Sequence, residues 1–262
     1  MADKEWYKAW FNSPFYHKLY FERDEEEAQK FILRLLDYLK PPASSRMLDV
    51  ACGRGRHSRF LAAKGFDVTG IDLSFDSIEF AKQFVQKDSF GEKENLHFYQ
   101  HDMRLPMWIN YFDYAFNFFT SFGYFATRRE HENTVSAIAK SLIPKGTVVF
   151  DYLNVHYAEE HLSHNEIKTI GSTEYEIHRW MDEYHFYKKI IVSDPSFGSP
   201  QQFCEKVAKL SLGDFTDMLS YQKIQVVDVF GDYDLNSYDV RKTPRMIVVG
   251  RRSSPLPPGG GT

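Results

Sequence analysis

Residues 47–58 read Met-Leu-Asp-Val-Ala-Cys-Gly-Arg-Gly-Arg-His-Ser: an apolar run that breaks into small residues, then bases. Glycines that follow a first strand let a ligand approach the backbone closely, and the next helix N-terminus attracts negative charge. Ala51, Cys52, Gly53, Gly55 and Arg56 are therefore candidate ligand contacts, with His57 reading as a structural residue of the helix. A triphosphate loop ends in Gly-Lys-Ser/Thr. Here Gly55 is followed by Arg56 and His57, so that chemistry fails. A dinucleotide loop carries a third glycine three residues after the second. Ser58 stands there, so the match is incomplete.

Two acids sharpen the question. Asp49 lies inside the strand, just before the loop. A carboxylate there sits badly beside a pyrophosphate but suits an ammonium group, and in an apolar strand it needs a partner. Asp72 closes the segment Val-Thr-Gly-Ile-Asp, where a carboxylate can accept hydrogen bonds from both ribose hydroxyls. The ligand drawn by these residues has a ribose, a cation and a carboxylate, and S-adenosylmethionine carries all three.

The elements that must position these residues alternate in type. Residues 24–39 place Phe31, Leu33, Leu35, Leu36 and Leu39 on a helical stripe with acids in its first turn, stopped by Pro41 and Pro42. Strands at 47–51, 67–71, 96–100, 111–118 and 147–153 interleave with helices at 56–64, 77–87 and 130–142. Such alternation predicts a parallel sheet covered by helices on both faces. Near residue 165 the pattern changes. Runs at 174–181 and 184–192, parted only by Asp182 and Glu183, predict an antiparallel hairpin, with a third strand at 203–210. A helix at 213–220, opened by Asp214, and strands at 224–229 and 246–249 follow. The expected fold class is α/β. It is doubly wound, with a mostly parallel, seven-stranded, Rossmann-like sheet, an N-terminal helical segment and a small antiparallel insertion after the fifth strand. The expected divisions are an N-terminal helical cap at 1–45, a core at 46–163, the insertion at 164–211, the rest of the core at 212–252 and a disordered Pro/Gly-rich tail at 253–262.

The order of motifs resembles the class I S-adenosylmethionine-dependent methyltransferases. "LDVACGRG" is similar to their glycine-rich first motif, with Ala51 where many members have glycine. "GIDLS" resembles the second-strand acidic motif, "YQHDMR" the third, "FDYAFNFFTSFGYF" the fourth-strand segment and "IPKGTVVFDYLN" the turn into the fifth strand. The likeness covers residues 10 to 252. Within that family, "TSFGYF" at 120–125 and the insertion are similar to N-methyltransferases of amino sugars, although Tyr124 stands where that subgroup has a histidine.

The resemblance implies a cofactor site made by Asp49, Ala51, Cys52, Gly53, Gly55, Arg56, Asp72 and Leu73, with Asp102 and Met103 at the adenine. Phe118 and Phe119, at the carboxyl edge of the fourth strand, are further cofactor contacts. In "FYHKLYFERDEEE", Tyr16 and Tyr20 are the tyrosines that would close over the methyl donor, and Arg23 would pair with the methionyl carboxylate. Tyr124 and His156, the latter expected on a loop, are the candidates near the methyl acceptor. Methyl transfer from a sulfonium is an in-line displacement of an activated donor, so positioning supplies much of the rate. An amine acceptor must first lose its proton, and a histidine or tyrosine can help.

Composition narrows the partners. The chain has 262 residues, 43% of them apolar, and a formal charge of −4. There is no long basic run, which argues against a nucleic-acid partner. The Asn/Asp-Pro-Pro-aromatic motif of base N-methyltransferases is replaced by "NFFTSF", and neither Cys52 nor Cys204 sits suitably as a carbon-5 nucleophile. Two distant cysteines exclude a disulfide framework, and no metal site is expected. No run of about 18 apolar residues predicts a membrane span. A cytoplasmic enzyme with a small-molecule acceptor is the expectation, and the insertion is a candidate homodimer surface. Two alternatives stay open: a nicotinamide-dependent oxidoreductase, and a non-catalytic adenosylmethionine-binding module.

Overall fold

The computed structural model describes residues 6–20, 25–85 and 95–254. It opens with two short helices, α1 (Trp6–Phe11) and α2 (Pro14–Tyr20), then α3 (Glu25–Leu39). The core follows as β1 (Arg46–Val50), α4 (Arg56–Ala63), β2 (Asp67–Asp72), α5 (Phe75–Lys82), β3 (Leu96–Gln100), β4 (Phe112–Asn117), α6 (Arg128–Ser141) and β5 (Leu142–Leu153). After α7 (Val155–Glu160) come β6 (Asn165–Ile170), β7 (Thr173–Met181), β8 (His185–Ser193) and β9 (Gln201–Ala208). The chain closes on α8 (Leu212–Tyr221), β10 (Ile224–Phe230) and β11 (Arg245–Arg252).

The first sheet has seven strands in the order β10-β11-β5-β4-β1-β2-β3. Only β11 runs against its neighbours, β5 and β10. The expected doubly wound, mostly parallel sheet is borne out. The order reverses between β1 and β4, where Asp49 registers with Gly70 on one side and Phe116 on the other. Open α/β sheets bind ligands at such a switch point, beyond the carboxyl ends of the strands. One face carries a cluster that includes Leu48, Phe112, Ile138, Phe150 and Phe215, the other a cluster with Phe31, Leu61, Ile78, Phe98 and Phe116.

β6, β7, β8 and β9 form a separate antiparallel sheet, the expected insertion after the fifth strand. Its third cluster is shared with the N-terminus: Trp10, Phe15 and Leu19 pack against Tyr175, Ile177, Ile190 and Val192. The two first helices therefore lean on the second sheet.

Several sequence expectations need correction. The helix expected from 77 begins at Phe75, because the Ser74 side chain accepts the Ser77 N–H and caps it, and it ends at Lys82. Asp214 does not open its helix. Ser211 is the N-cap, and Asp214 returns a carboxylate to it in a capping box. β5 reaches back to Leu142, through Pro144, where the register against β4 shifts. His156 lies on helix α7 and not on a loop. α1 and α2 fall within the expected N-terminal helical cap, whereas α7 and β6 have no counterpart in the pattern. The last eight tail residues, 255–262, lie outside the described residues.

Candidate active site

A cavity of about 740 Å³ opens at the switch point, within the range of small-molecule sites. Its floor is the loop after β1. The Cys52 N–H donates to the Ile71 carbonyl at 2.9 Å, and the Gly55 N–H returns to the Cys52 carbonyl at 3.0 Å. Gly53 and Gly55 take left-handed backbone, φ 55° and 74°. A Cβ on Gly53 would meet nothing within 4 Å, whereas one on Gly55 would lie 2.4 Å from Phe98 Cζ. Gly53 thus leaves room at the cavity, and Gly55, which does not line it, lets α4 close on β3. Ala51 adopts φ 61°, a conformation that glycine takes without strain.

Asp72 ties the loop to the next strand. Its Oδ2 accepts the Gly53 N–H and its Oδ1 the Ser74 N–H, each at 2.8 Å. Burial raises its pKa, against the pull of those N–H donors. Asp49 is 1% exposed, and its Oδ2 accepts the Ser58 hydroxyl at 2.6 Å. Burial pushes the Asp49 carboxyl up to about 6 despite that bond, with Asp72 adding repulsion. Ser58 is the residue that stands in place of a third dinucleotide glycine, and here it holds Asp49. Two desolvated carboxylates on one wall are stabilised by a cation and by hydroxyl donors. That pair of acceptors fits a ligand carrying an ammonium and a ribose.

The remaining sequence-named residues converge on the same space. Tyr16, Tyr20, Asp49, Ala51, Cys52, Gly53, Arg56, Asp72, Leu73, Asp102, Met103, Phe118, Phe119 and Tyr124 all line it. Asp102 does so with its carboxylate held by Arg104, Nη2 to Oδ2 at 2.6 Å and Nε to Oδ1 at 3.0 Å. Arg104 reaches on to Glu130 at 2.8 Å, in the cap of α6. His57 stacks on Phe119, centroids 5.1 Å apart, and Arg56 lies 5.2 Å over the same ring. His156 stands apart. Its side chain is 56% exposed, 3.7 Å from Glu159, and is not among the residues lining the cavity. Arg23 lies outside the described residues.

The structure adds lining residues that the sequence reading passed over. Phe11 and Asn12 come from the N-terminal segment, Arg54 from the glycine loop, Arg104 from the turn after β3, and Glu205 from β9 of the second sheet. Arg104 carried a local signal, a base two residues after an acid. Glu205 carried none.

Residues 20–190 match the methyltransferase domain family. The chain belongs to that family. YqeM of Bacillus subtilis (strain 168) is 37% identical over 111 residues, 42% of this chain and 43% of that protein. The dTDP-3-amino-3,4,6-trideoxy-alpha-D-glucopyranose N,N-dimethyltransferase of Streptomyces venezuelae is 30% identical over 112 residues, 43% of this chain and 44% of that enzyme. The chain spans about half the length of these curated relatives. An S-adenosylmethionine-dependent methyltransferase from Clostridium acetobutylicum ATCC 824 shares the fold, with TM-score 0.73 and 17% identity over 92% of this chain and 97% of that one. Family and fold together bear out the methyltransferase expected from the motif order, on a sheet of the class I type.

Proposed function

We propose that the protein transfers the methyl group of S-adenosylmethionine to nitrogen or oxygen of a small-molecule acceptor. The observation that carries this reading is the pairing of Asp49 and Asp72 beside the glycine loop, in a cavity that also takes residues from α1, α2 and β9. In this reading Asp49 receives the cofactor's ammonium, Asp72 its ribose hydroxyls, and Asp102 with Met103 and Leu73 the adenine. Gly53, Ala51, Cys52 and Arg56 border the methionyl part, and Phe118 and Phe119 close the floor. Tyr16 and Tyr20 form the roof, with Tyr124 on the acceptor side, and His156 is given no part. When bound, the cofactor supplies an activated methyl on a sulfonium. This chain's residues hold it, exclude water and orient the acceptor lone pair in line with the breaking bond.

The acceptor is small because walls close on three sides: the core loops, the N-terminal helices and the second sheet. The likeness to an enzyme named for an amino-sugar N,N-dimethylation supports a small acceptor further. We treat residues 164–211 as the insertion that carries the acceptor-side wall, and its outer face as a candidate homodimer surface. The nicotinamide reading is disfavoured by Ser58, whose side chain engages Asp49 where a dinucleotide loop needs glycine. Among the described residues no helix is long and apolar enough to cross a membrane, and no cluster of His, Cys, Asp and Glu could hold a metal.

The test compares thermal unfolding with S-adenosylmethionine, S-adenosylhomocysteine, NAD and NADP. A ligand at about a hundred times its Kd adds roughly 2.7 kcal/mol. Stabilisation by the two sulfur compounds alone is expected, followed by release of S-adenosylhomocysteine in a screen of amines and hydroxyl compounds. Stabilisation by a nicotinamide instead overturns the reading. Cofactor binding without turnover on any acceptor favours the non-catalytic module.

A further inference from the structure

We propose that Glu205 recognises the methyl acceptor, and that the acceptor it selects enters as a cationic amine. This rests on the methyl-transfer reading above and names the chemistry of its second substrate.

Four carboxylates line the cavity among the described residues. Three belong to the core and are engaged there: Asp49 by Ser58, Asp72 by two backbone N–H groups and Asp102 by Arg104. Glu205 is the fourth, and it comes from the second sheet. Its two oxygens are treated differently. Oε1 accepts Trp10 Nε1–H at 2.7 Å and the Tyr20 hydroxyl at 2.9 Å. Oε2 makes no hydrogen bond among the described residues and stands 3.7 Å from Lys188 Nζ. The side chain is only 13% exposed. A carboxylate so withdrawn from water needs donors on both oxygens. Oε2 thus has the Lys188 ion pair but no hydrogen-bond donor, in a residue that lines the cavity.

The surroundings are aromatic. From Glu205 the wall runs through Tyr20 to Tyr16 (4.9 Å between centroids), to Phe11 (4.9 Å) and to Tyr124 (5.3 Å). A carboxylate at the end of an aromatic wall is the arrangement that takes an ammonium, by charge and by cation–π attraction. Lys188 shows that this wall accepts a cation, since its Nζ lies 4.6 Å from the centre of the Tyr20 ring and donates to the Tyr20 hydroxyl. Lys188 also offsets the charge of Glu205, so it competes with an incoming amine. The wall contains Tyr124, the candidate for the acceptor side. An amine held by Glu205 must pass its proton to that carboxylate before its lone pair attacks the methyl carbon and the carbon–sulfur bond breaks.

The experiment uses the full chain saturated with S-adenosylhomocysteine, titrated calorimetrically at neutral pH with benzylamine and with benzyl alcohol, its neutral counterpart. Benzylamine should bind at least about tenfold tighter, on the scale of a hydrogen-bonded charge. Glu205→Gln keeps an oxygen for Trp10 and Tyr20 and should remove that preference, with S-adenosylhomocysteine affinity unchanged. Lys188→Met should act in the opposite direction and tighten benzylamine. This variant keeps the test decisive if the glutamine variant folds poorly. Equal binding of the two probes, binding of neither, or a preference that survives Glu205→Gln overturns the proposal and leaves the cofactor reading intact. Failure of the wild type to bind S-adenosylhomocysteine overturns the methyl-transfer reading itself.

Discussion

Arg245 grips one oxygen of Asp151 beneath the exit of β4, with Nε at 2.8 Å and Nη2 at 2.5 Å from Oδ1. The other oxygen accepts the Phe119 N–H at 2.7 Å and the Tyr233 hydroxyl at 3.2 Å. Arg245 also donates to Thr120 Oγ1 at 3.0 Å. Phe119 and Thr120 are both in left-handed backbone, φ 55° and 56°. Non-glycine residues in that region cost about 1–2 kcal/mol each. The ion pair thus fixes a strained turn that puts Phe119 in the cavity.

Removing one partner leaves an uncompensated charge in a site where Asp151 is 1% exposed. Arg245→Met should lower stability by about 3–5 kcal/mol, while Asp151→Asn with Arg245→Met together should cost less than the sum of the single changes. Denaturant unfolding of the four proteins measures this. Equal and additive losses would mean that the pair acts only through separate packing.

Asp72→Ala should weaken S-adenosylhomocysteine binding by about 1–3 kcal/mol, the scale of losing hydrogen bonds to a charged group. The loop also loses its ties from Gly53 and Ser74, so the midpoint of thermal unfolding should fall in the absence of ligand. Asp72→Asn, which keeps one acceptor oxygen, should recover more of the stability than of the affinity. An unchanged dissociation constant in calorimetry rejects the ribose role.

The core was legible because its information is local. Asp49, the glycines and Asp72 sit within two strands and one loop, and the β/α alternation brings them to one edge by topology alone. The walls over the cavity were not legible, because their information is distant. Trp10 meets Glu205 across 195 residues, and Asp151 meets Arg245 across 94. α1 and α2 are too short to show a helical period, and their apolar residues are matched by strands β7 and β8. β6 is largely exposed along its length, so no alternation of apolar residues marks it. Residue type points to Asp214 as the opening of α8, whereas Ser211 takes the cap and Asp214 its reciprocal place. His156 drew notice by residue type, but nothing in the sequence could show that α7 faces away from the cavity.

The two loop glycines should separate in their effects. Gly55→Ala puts a Cβ 2.4 Å from Phe98 Cζ at φ 74°, so overpacking and backbone strain combine to a loss of about 2–4 kcal/mol. Gly53→Ala has the strain without the clash, since nothing lies within 4 Å, and should cost about 1–2 kcal/mol. Its methyl group points into space that the cofactor would fill, so it should weaken S-adenosylhomocysteine more than it weakens the fold. Parallel melting and calorimetry of both variants test this, and the reverse order of effects would displace the ligand from Gly53.

Asp49 predicts opposite pH trends for the empty protein and for cofactor binding. Its carboxyl is raised from 3.8 to about 6, chiefly by burial. A carboxylate with a raised folded pKa contributes stability that is complete below its unfolded pKa and lost as pH rises through the folded one. The ligand-free protein should therefore lose on the order of 3 kcal/mol from this group between about pH 4 and 6. Binding an ammonium needs the ionised form, so affinity should run the other way, about tenfold weaker at pH 5 than at pH 7. Asp49→Asn should remove Asp49's share of both slopes, giving a more stable protein at neutral pH that binds S-adenosylhomocysteine weakly; the slope in stability that remains comes from other groups, the raised carboxyl of Asp72 among them. Unfolding and calorimetry at pH 5 and 7 on both proteins decide it. If the variant bound as tightly as the wild type at pH 7, the ammonium partner would have to be sought elsewhere on the wall.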